Sequence, residues 1–173
     1  RRKSGGGCVY SDEGNIMLSY ITDSTNVAST FSEYLDTLSA YLRASGINAE
    51  KSGRNDIMVD GKKVSGNAFF LKPESSIVHG TMLFNTDFDE LERAITPSEA
   101  KIKSKGVSSV RQHVTNLKPI YEAAGSPLAD IEKFKNFLLE CFCGNRDAEG
   151  KLACIDTIVL TDEQVAEIEG IEL

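Results

Sequence analysis

Apolar and polar residues alternate through Ile57 and Val59, stop at Asp60-Gly61, and resume from Lys63 toward Phe70. A period of two interrupted by Asp-Gly predicts two antiparallel strands joined by a two-residue turn. The returning strand carries two features that an ordinary core strand avoids, a lysine (Lys63) at its start and a glycine (Gly66) in its interior. A lysine directed inward has to find an anion, and a strand glycine gives up packing, which is tolerable where a ligand or another backbone approaches closely. Strand alternation sends Lys62 and Lys63 to opposite faces, with Lys62 toward solvent.

Residues 8–10 and 16–20 read as strands joined through Ser11-Asp12-Glu13-Gly14-Asn15. Phe31, Leu35, Leu38 and Leu42 then recur at helical spacing, with Ser24 or Thr25 as the cap and Ser45-Gly46 as the stop. That stripe is core. A loop at residues 72–76 leads to a strand over 77–84 that contains His79-Gly80-Thr81, and residues 85–87 cap a short helix through Phe88, Leu91 and Ile95 that ends near Pro97. Residues 98–118 are the least regular part. Ser126-Pro127 opens a helix through Leu128, Ile131, Phe134, Leu138 and Phe142, residues 155–160 read as a strand, and Thr161-Asp162-Glu163-Gln164 is a capping box for a last helix with Val165 and Ile168. No internal repeat or low-complexity tract interrupts this order. The expected fold is α+β, a largely antiparallel sheet flanked by helices, with residues 1–173 as a single domain.

The 173 residues are enough to bury a sizeable core. With 26 acidic against 19 basic residues the net charge is −7, which argues against nucleic acid or an anionic membrane as the main partner. No apolar run reaches the length of a membrane span and no basic-then-apolar leader precedes the first motif, so a cytoplasmic location is expected. The four cysteines, Cys8, Cys141, Cys143 and Cys154, are expected as reduced thiols, since Cys141-Phe142-Cys143 has the wrong spacing for a zinc knuckle and neither histidine lies near it.

Several stretches carry chemistry as well as structure. Gly5-Gly6-Gly7 offers a backbone without Cβ atoms that can aim N–H groups at anionic oxygens, or it is a plain turn. It is not a Walker loop, because no Gly-Lys-Ser/Thr follows. Lys101, Lys103 and Lys105 beside Gly106, with Arg111 and His113, make a local positive region or a solvated loop. A lone strand histidine such as His79 is more often structural than catalytic.

Five segments, Arg1-Arg2-Lys3-Ser4-Gly5-Gly6-Gly7-Cys8-Val9-Tyr10, Gly53-Arg54-Asn55-Asp56, Lys63-Val64-Ser65-Gly66-Asn67-Ala68, His79-Gly80-Thr81 and Lys105-Gly106-Val107-Ser108-Ser109-Val110-Arg111, occur in an order and at spacings that resemble the lipoate–protein ligase A family, within the biotin/lipoate protein ligase superfamily. Each is weak by itself, and together they cover roughly two thirds of the chain, in register. That family has further strands and helices ahead of the double arginine, so the resemblance implies a catalytic domain lacking its N-terminal part and without the accessory domain that some members carry after it.

The resemblance implies an ATP-dependent ligase that activates lipoate as lipoyl-AMP and passes the lipoyl group to a lysine of an acceptor lipoyl domain. The acceptors it implies are the lipoyl domains of 2-oxoacid dehydrogenase E2 subunits and the glycine cleavage H protein. Carried over position by position, Lys63 becomes the catalytic cation. Arg2, Gly7, Cys8, Val9, Tyr10 and Lys63 become the ATP-binding set, and Lys63, Arg2, Ser4, Gly5, Gly6 and His79 the lipoate-binding set. Lys105, Gly106, Val107, Ser108, Ser109, Val110 and Arg111 become a loop over the adenylate. Asp56 is the best carboxylate for Mg²⁺ against the phosphates, since a hard cation takes oxygen ligands and only one or two from protein. Asn55-Asp56 as simple turn formers is the plain alternative.

Two rival readings share these residues. Octanoyltransferases of the same superfamily use no ATP and some employ a cysteine nucleophile, which gives Cys8 a conceivable covalent role if Arg2 and Lys3 lower its pKa. A non-catalytic binder of lipoyl ligands would keep the fold, although the presence of Lys63 and both glycine features argues against it.

Overall fold

The computed structural model describes residues 9–52, 55–95, 113–144 and 159–170. It divides into two compact units, Arg1–Phe137 and Leu138–Leu173. In the first unit, five strands form one antiparallel sheet in the spatial order β1-β5-β4-β3-β2: β1 (Asn15–Thr22), β2 (Ala49–Ser52), β3 (Asp56–Val59), β4 (Lys62–Lys72) and β5 (Ser75–Leu83).

The expected hairpin is β3–β4. Asp60 at φ 50° and Gly61 at φ 75° both take the left-handed conformation, which a two-residue turn needs in order to match the twist of its strands. A second tight turn at Pro73-Glu74 joins β4 to β5, so Ser75 and Ser76 belong to a strand and not to the expected loop. The ladder takes over backbone groups that the local polarity had assigned to a loop.

Helix α1 (Val27–Ala44) lies on one face of this sheet, in contact with β2, β3, β4 and β5. Its Leu35, Leu38 and Leu42 are almost wholly buried, each worth about 2 kcal/mol of apolar burial. Ile57, Val78 and Met82 are buried from the sheet, and Tyr20 on β1 meets Tyr34 of α1 with ring centroids 6.0 Å apart. The cap is Asn26, not Ser24 or Thr25, with Oδ1 accepting from the Ser29 N–H at 3.2 Å. Ser24 Oγ instead accepts from the Asn26 N–H and the Thr30 hydroxyl.

Helix α2 (Phe88–Ile95) starts as expected, with Asp87 Oδ1 accepting from the Asp89 and Glu90 N–H groups. A short helix α3 (Lys118–Ala123), absent from the sequence reading, follows residues 113–117. The Ser126-Pro127 signal caps only one 3₁₀ turn, Pro127–Ala129. Asp130 then accepts from the Lys133 N–H at 2.9 Å and starts α4 (Ile131–Cys143). Phe84, Tyr121 and Phe134 form an aromatic cluster beside the sheet end, with centroids 5.3 Å (Phe84–Phe134) and 5.6 Å (Tyr121–Phe134) apart.

Two expected strands fall only partly within the described residues. Val9 and Tyr10 are not in a strand, and neither are Val159 and Leu160, while Cys8 and residues 155–158 lie outside the described residues. In the second unit the capping box is present as expected: the Thr161 side chain accepts from the Gln164 N–H and the Gln164 side chain from the Thr161 N–H, opening α5 (Asp162–Glu169). Neither Cys141 nor Cys143 is in a disulfide. Among the described residues no helix is long and apolar enough to cross a membrane.

Candidate functional site

The face of the sheet turned away from α1 carries the candidate chemistry. Alternation fixes its members: Asp56 opposite Gly66, Gly66 opposite Thr81, and Ala68 opposite His79. Met17, Ser19 and Ile21 continue the face on β1, and Met17 and Ile21 are exposed.

A β-bulge brings Lys63 into this row. Between Ile57 and Met58 the β3–β4 register shifts, so Met58 pairs with Lys63 and Ile57 with Ser65, leaving Val64 as the extra residue. Lys63 thus stands opposite Met58, one step along from Asp56, and its side chain crosses Gly66 to bring Nζ 2.8 Å from Asp56 Oδ1. Side chains of both partners are about one-third exposed (36% and 32%), so solvent screens the pair and it adds little to stability. The contact is an ion pair without hydrogen-bond alignment, since Oδ1 is otherwise buried and has no hydrogen-bond partner. The anion expected for Lys63 is therefore Asp56. Lys62 is exposed at the start of β4, as expected, although its pairing partner Val59 is buried.

Gly66 serves this lysine. A Cβ at position 66 would stand 2.6 Å from Lys63 Nζ and 2.7 Å from Cε. The close approach that the sequence predicted is made by the chain's own side chain. Gly66→Ala is expected to push Lys63 off Asp56 while shifting stability by less than about 1 kcal/mol, because the obstructing atoms end a flexible side chain and strand glycine is itself unfavourable. Limited amine acylation read by mass spectrometry should show Lys63 labelled faster relative to Lys62, and an unchanged ratio would reject this account of the glycine.

The backbone of Lys63 is held as well. Its N–H donates to His113 O at 2.8 Å and its C=O accepts from the Thr115 N–H at 3.0 Å, a parallel bridge to Val114. Leu117 and Lys118 N–H groups donate to Leu83 O and Phe84 O, so residues 113–118 bind the ends of β4 and β5 together. Sequence reasoning missed this segment, because only the residues of the bridging strand reveal it.

His79 is half-buried on the same face as Asp56 and Gly66, two rungs from Asp56 by register. Tyr10 sits beside Asp12. Its phenol is raised above the ordinary tyrosine value, first by desolvation, then by a hydrogen bond to Asp12 and the negative charges of Asp12, Asp87 and Glu90. Val9 is exposed. Arg2, Ser4, Gly5, Gly6, Gly7, Cys8 and the expected loop Lys105, Gly106, Val107, Ser108, Ser109, Val110 and Arg111 lie outside the described residues.

Asp56 was also the expected Mg²⁺ ligand. Among the described residues no group of three His, Cys, Asp or Glu side chains gathers to hold a metal. A single carboxylate on an open face fits an ion that arrives with phosphates, since Mg²⁺ takes one or two protein carboxylates and completes its shell with phosphate oxygens and water. The ion pair to Lys63 is made through Oδ1, one of the two carboxylate oxygens.

Residues 1–143 match the lipoyl protein ligase A/B catalytic domain family. The chain is 41% identical over 170 residues to lipoate–protein ligase 1 of Staphylococcus aureus, a match covering 98% of this chain and 48% of that protein. It thus spans about half the length of the curated relatives it matches. Among solved structures it resembles the bi-partite lipoate protein ligase of Thermoplasma acidophilum, studied with its E2 lipoyl domain (TM-score 0.69, 27% identity, covering 82% of this chain and 55% of that one). It also resembles a lipoate–protein ligase A bound with ATP (TM-score 0.62, 27% identity, covering 82% of this chain and 56% of that one).

Proposed function

The chain belongs to the lipoyl protein ligase A/B catalytic domain family, and from that premise we propose that it contributes the adenylating face of an ATP-dependent lipoate–protein ligase. The observation that carries the reading is Lys63, an ammonium set on the open sheet face by a bulge, over a glycine floor, with its position restrained by one carboxylate.

The reaction has to bring two anions together. A lipoate carboxylate oxygen attacks the α-phosphorus of ATP and pyrophosphate leaves. An acceptor lysine amine then attacks the carbonyl carbon, an amide forms, and AMP departs with the bridging oxygen. At about 4 Å a carboxylate and a phosphate oxygen repel by roughly 4 kcal/mol at an effective dielectric near 20. A cation between them reverses that sign. Lys63 has three N–H donors, so an ion pair with Asp56 leaves donors for the lipoyl oxygen and the α-phosphate. Its role is electrostatic and positional, without a covalent bond.

Bound Mg²⁺ would offset phosphate charge, with Asp56 as its protein ligand. Arg2, Ser4, Gly5, Gly6, Gly7, Cys8, Val9 and Tyr10 are assigned to the nucleotide and lipoyl pocket, and Lys105 to Arg111 to the segment over the adenylate, on the strength of their motifs. His79 lies on the same sheet face as Asp56 and is assigned to the lipoyl side. The acceptors are lipoyl domains, those of 2-oxoacid dehydrogenase E2 subunits and the glycine cleavage H protein, and the work is done in the cytoplasm.

The test is pyrophosphate release from ATP and Mg²⁺ with and without lipoate, followed by mass analysis of an added E2 lipoyl domain or H protein. Lipoate-dependent pyrophosphate and a lipoyl-sized mass gain are expected. Acyl transfer from an acylated carrier without ATP, or no reaction at all, would overturn the assignment.

A further inference from the structure

We infer that Asn67 is a positioning residue for the Lys63–Asp56 pair, acting through Asn55, and that Gly80 is small in order to admit its side chain. The inference rests on the role of Lys63 proposed above.

Asn67 lies on β4 on the face covered by α1 and is only 5% exposed. Ile57, Val78 and Met82 are buried on the same face, where an apolar side chain would fill space without polar cost. Asn67 commits its carboxamide nitrogen to two neighbours, Asn55 and Ser65. Its Nδ2 donates to Asn55 O at 3.0 Å and to Ser65 Oγ at 3.2 Å, its backbone N–H donates to the same Asn55 O at 3.0 Å, and Asn55 Nδ2 returns a bond to Asn67 O at 2.9 Å. Its Oδ1 is buried with no partner. Gly80 stands directly opposite, and a Cβ there would overlap Asn67 Oδ1 and come 2.7 Å from Gly66 O.

Position explains why this polar cost is sustained. Asp56 pairs with Gly66 at the last rung of the β3–β4 ladder, where a strand frays first. On its other side the ladder is broken by the bulge at Val64. The Asn55–Asn67 exchange adds a rung just beyond Asp56, built from both side chains, and so fixes the residue whose carboxylate sets Lys63 Nζ. A backbone bond alone would continue the sheet. The extra carboxamide bonds hold the direction in which β3 enters.

The test is competitive labelling of lysines in the full chain with a limiting acid anhydride, reading Lys63 against Lys62 by mass spectrometry. Asn67→Ala is expected to raise the Lys63/Lys62 ratio about fivefold, the equilibrium equivalent of one net hydrogen bond. Tyr121→Phe, which removes the hydrogen bond with Ser45 Oγ, is expected to lower the thermal midpoint without moving the ratio. If Asn67→Ala does not fold, Asn55→Ala, at an exposed position, carries the same labelling test with a smaller rise. In turnover, Asn67→Ala should lower kcat with little change in KM for ATP, and should add almost nothing in an Asp56→Asn background. A wild-type labelling ratio in both asparagine variants, or kinetic effects of Asn67→Ala and Asp56→Asn that simply multiply, would overturn the inference. Labelling needs no turnover, so an inactive wild-type chain would count against the ligase reading and leave this one decided by the ratio.

Discussion

Lys63→Ala is expected to lower lipoate adenylation by a factor of roughly a hundred to a thousand, the usual worth of one fixed donor at developing charge. The chain should stay folded. The Lys63 side chain is about one-third exposed and so is its partner, so water can replace the ammonium at Asp56 and the stability change should stay within about 1 kcal/mol. Loss of rate without loss of fold separates an electrostatic role from a structural one. Lys62→Ala is the control, since Lys62 is exposed at the hairpin end and should turn over like the wild type. Pyrophosphate release checks both variants, and a Lys63→Ala chain that keeps more than a tenth of wild-type adenylation would sink the assignment.

The largest loss of stability is expected from Gly14→Ala. Gly14 O accepts from the Phe84 and Asn85 N–H groups, at 3.1 and 2.8 Å, and fastens the chain entering β1 to the end of β5. A Cβ at this residue would overlap the Asn85 carbonyl and stand 2.7 Å from Thr86 N. All of these are backbone atoms that no rotamer change can move aside, so a cost of about 3 kcal/mol and a fall of roughly 10 °C in Tm are expected. Gly46→Ala offers the contrast. It has open space and only a strained φ of 92°, for which about 1 kcal/mol is expected. Equal melting shifts in the two variants would show that close approach is not what Gly14 provides.

Much of the local architecture was legible in the chain. The Asp60-Gly61 turn, the Leu35, Leu38, Leu42 stripe, the Asp87 cap and the Thr161 capping box are each encoded within a few residues. Where two local signals compete, the reading failed: Ser126-Pro127 and Asp130 are both caps, and only packing chose the second for the longer helix. Strand β2, Ala-Glu-Lys-Ser, has one buried residue and no alternation. It is a strand because β3 offers it a ladder.

In the candidate site, residue types were readable and their relations were not. A lysine and a glycine in one strand announced an unusual face, and Asp56 was already in view as a carboxylate. The bulge at Val64, the grip of residues 113–115 on the Lys63 backbone, and the pairing of Asn67 with Asn55 were invisible, since each is set by how two segments pair and not by the pattern within either one. By itself the sequence determined the Asp60-Gly61 turn, the Asp87 and Thr161 caps and the apolar stripe, which follow from short-range sterics, hydrogen bonding and periodicity, and it carried the motifs that mark the family. Tertiary structure decided which strand lies beside which and in what register. A one-residue shift in pairing is what sets Lys63 and Gly66 on one face of β4 beside Asp56, and that shift belongs to the paired strands and not to either stretch of sequence alone.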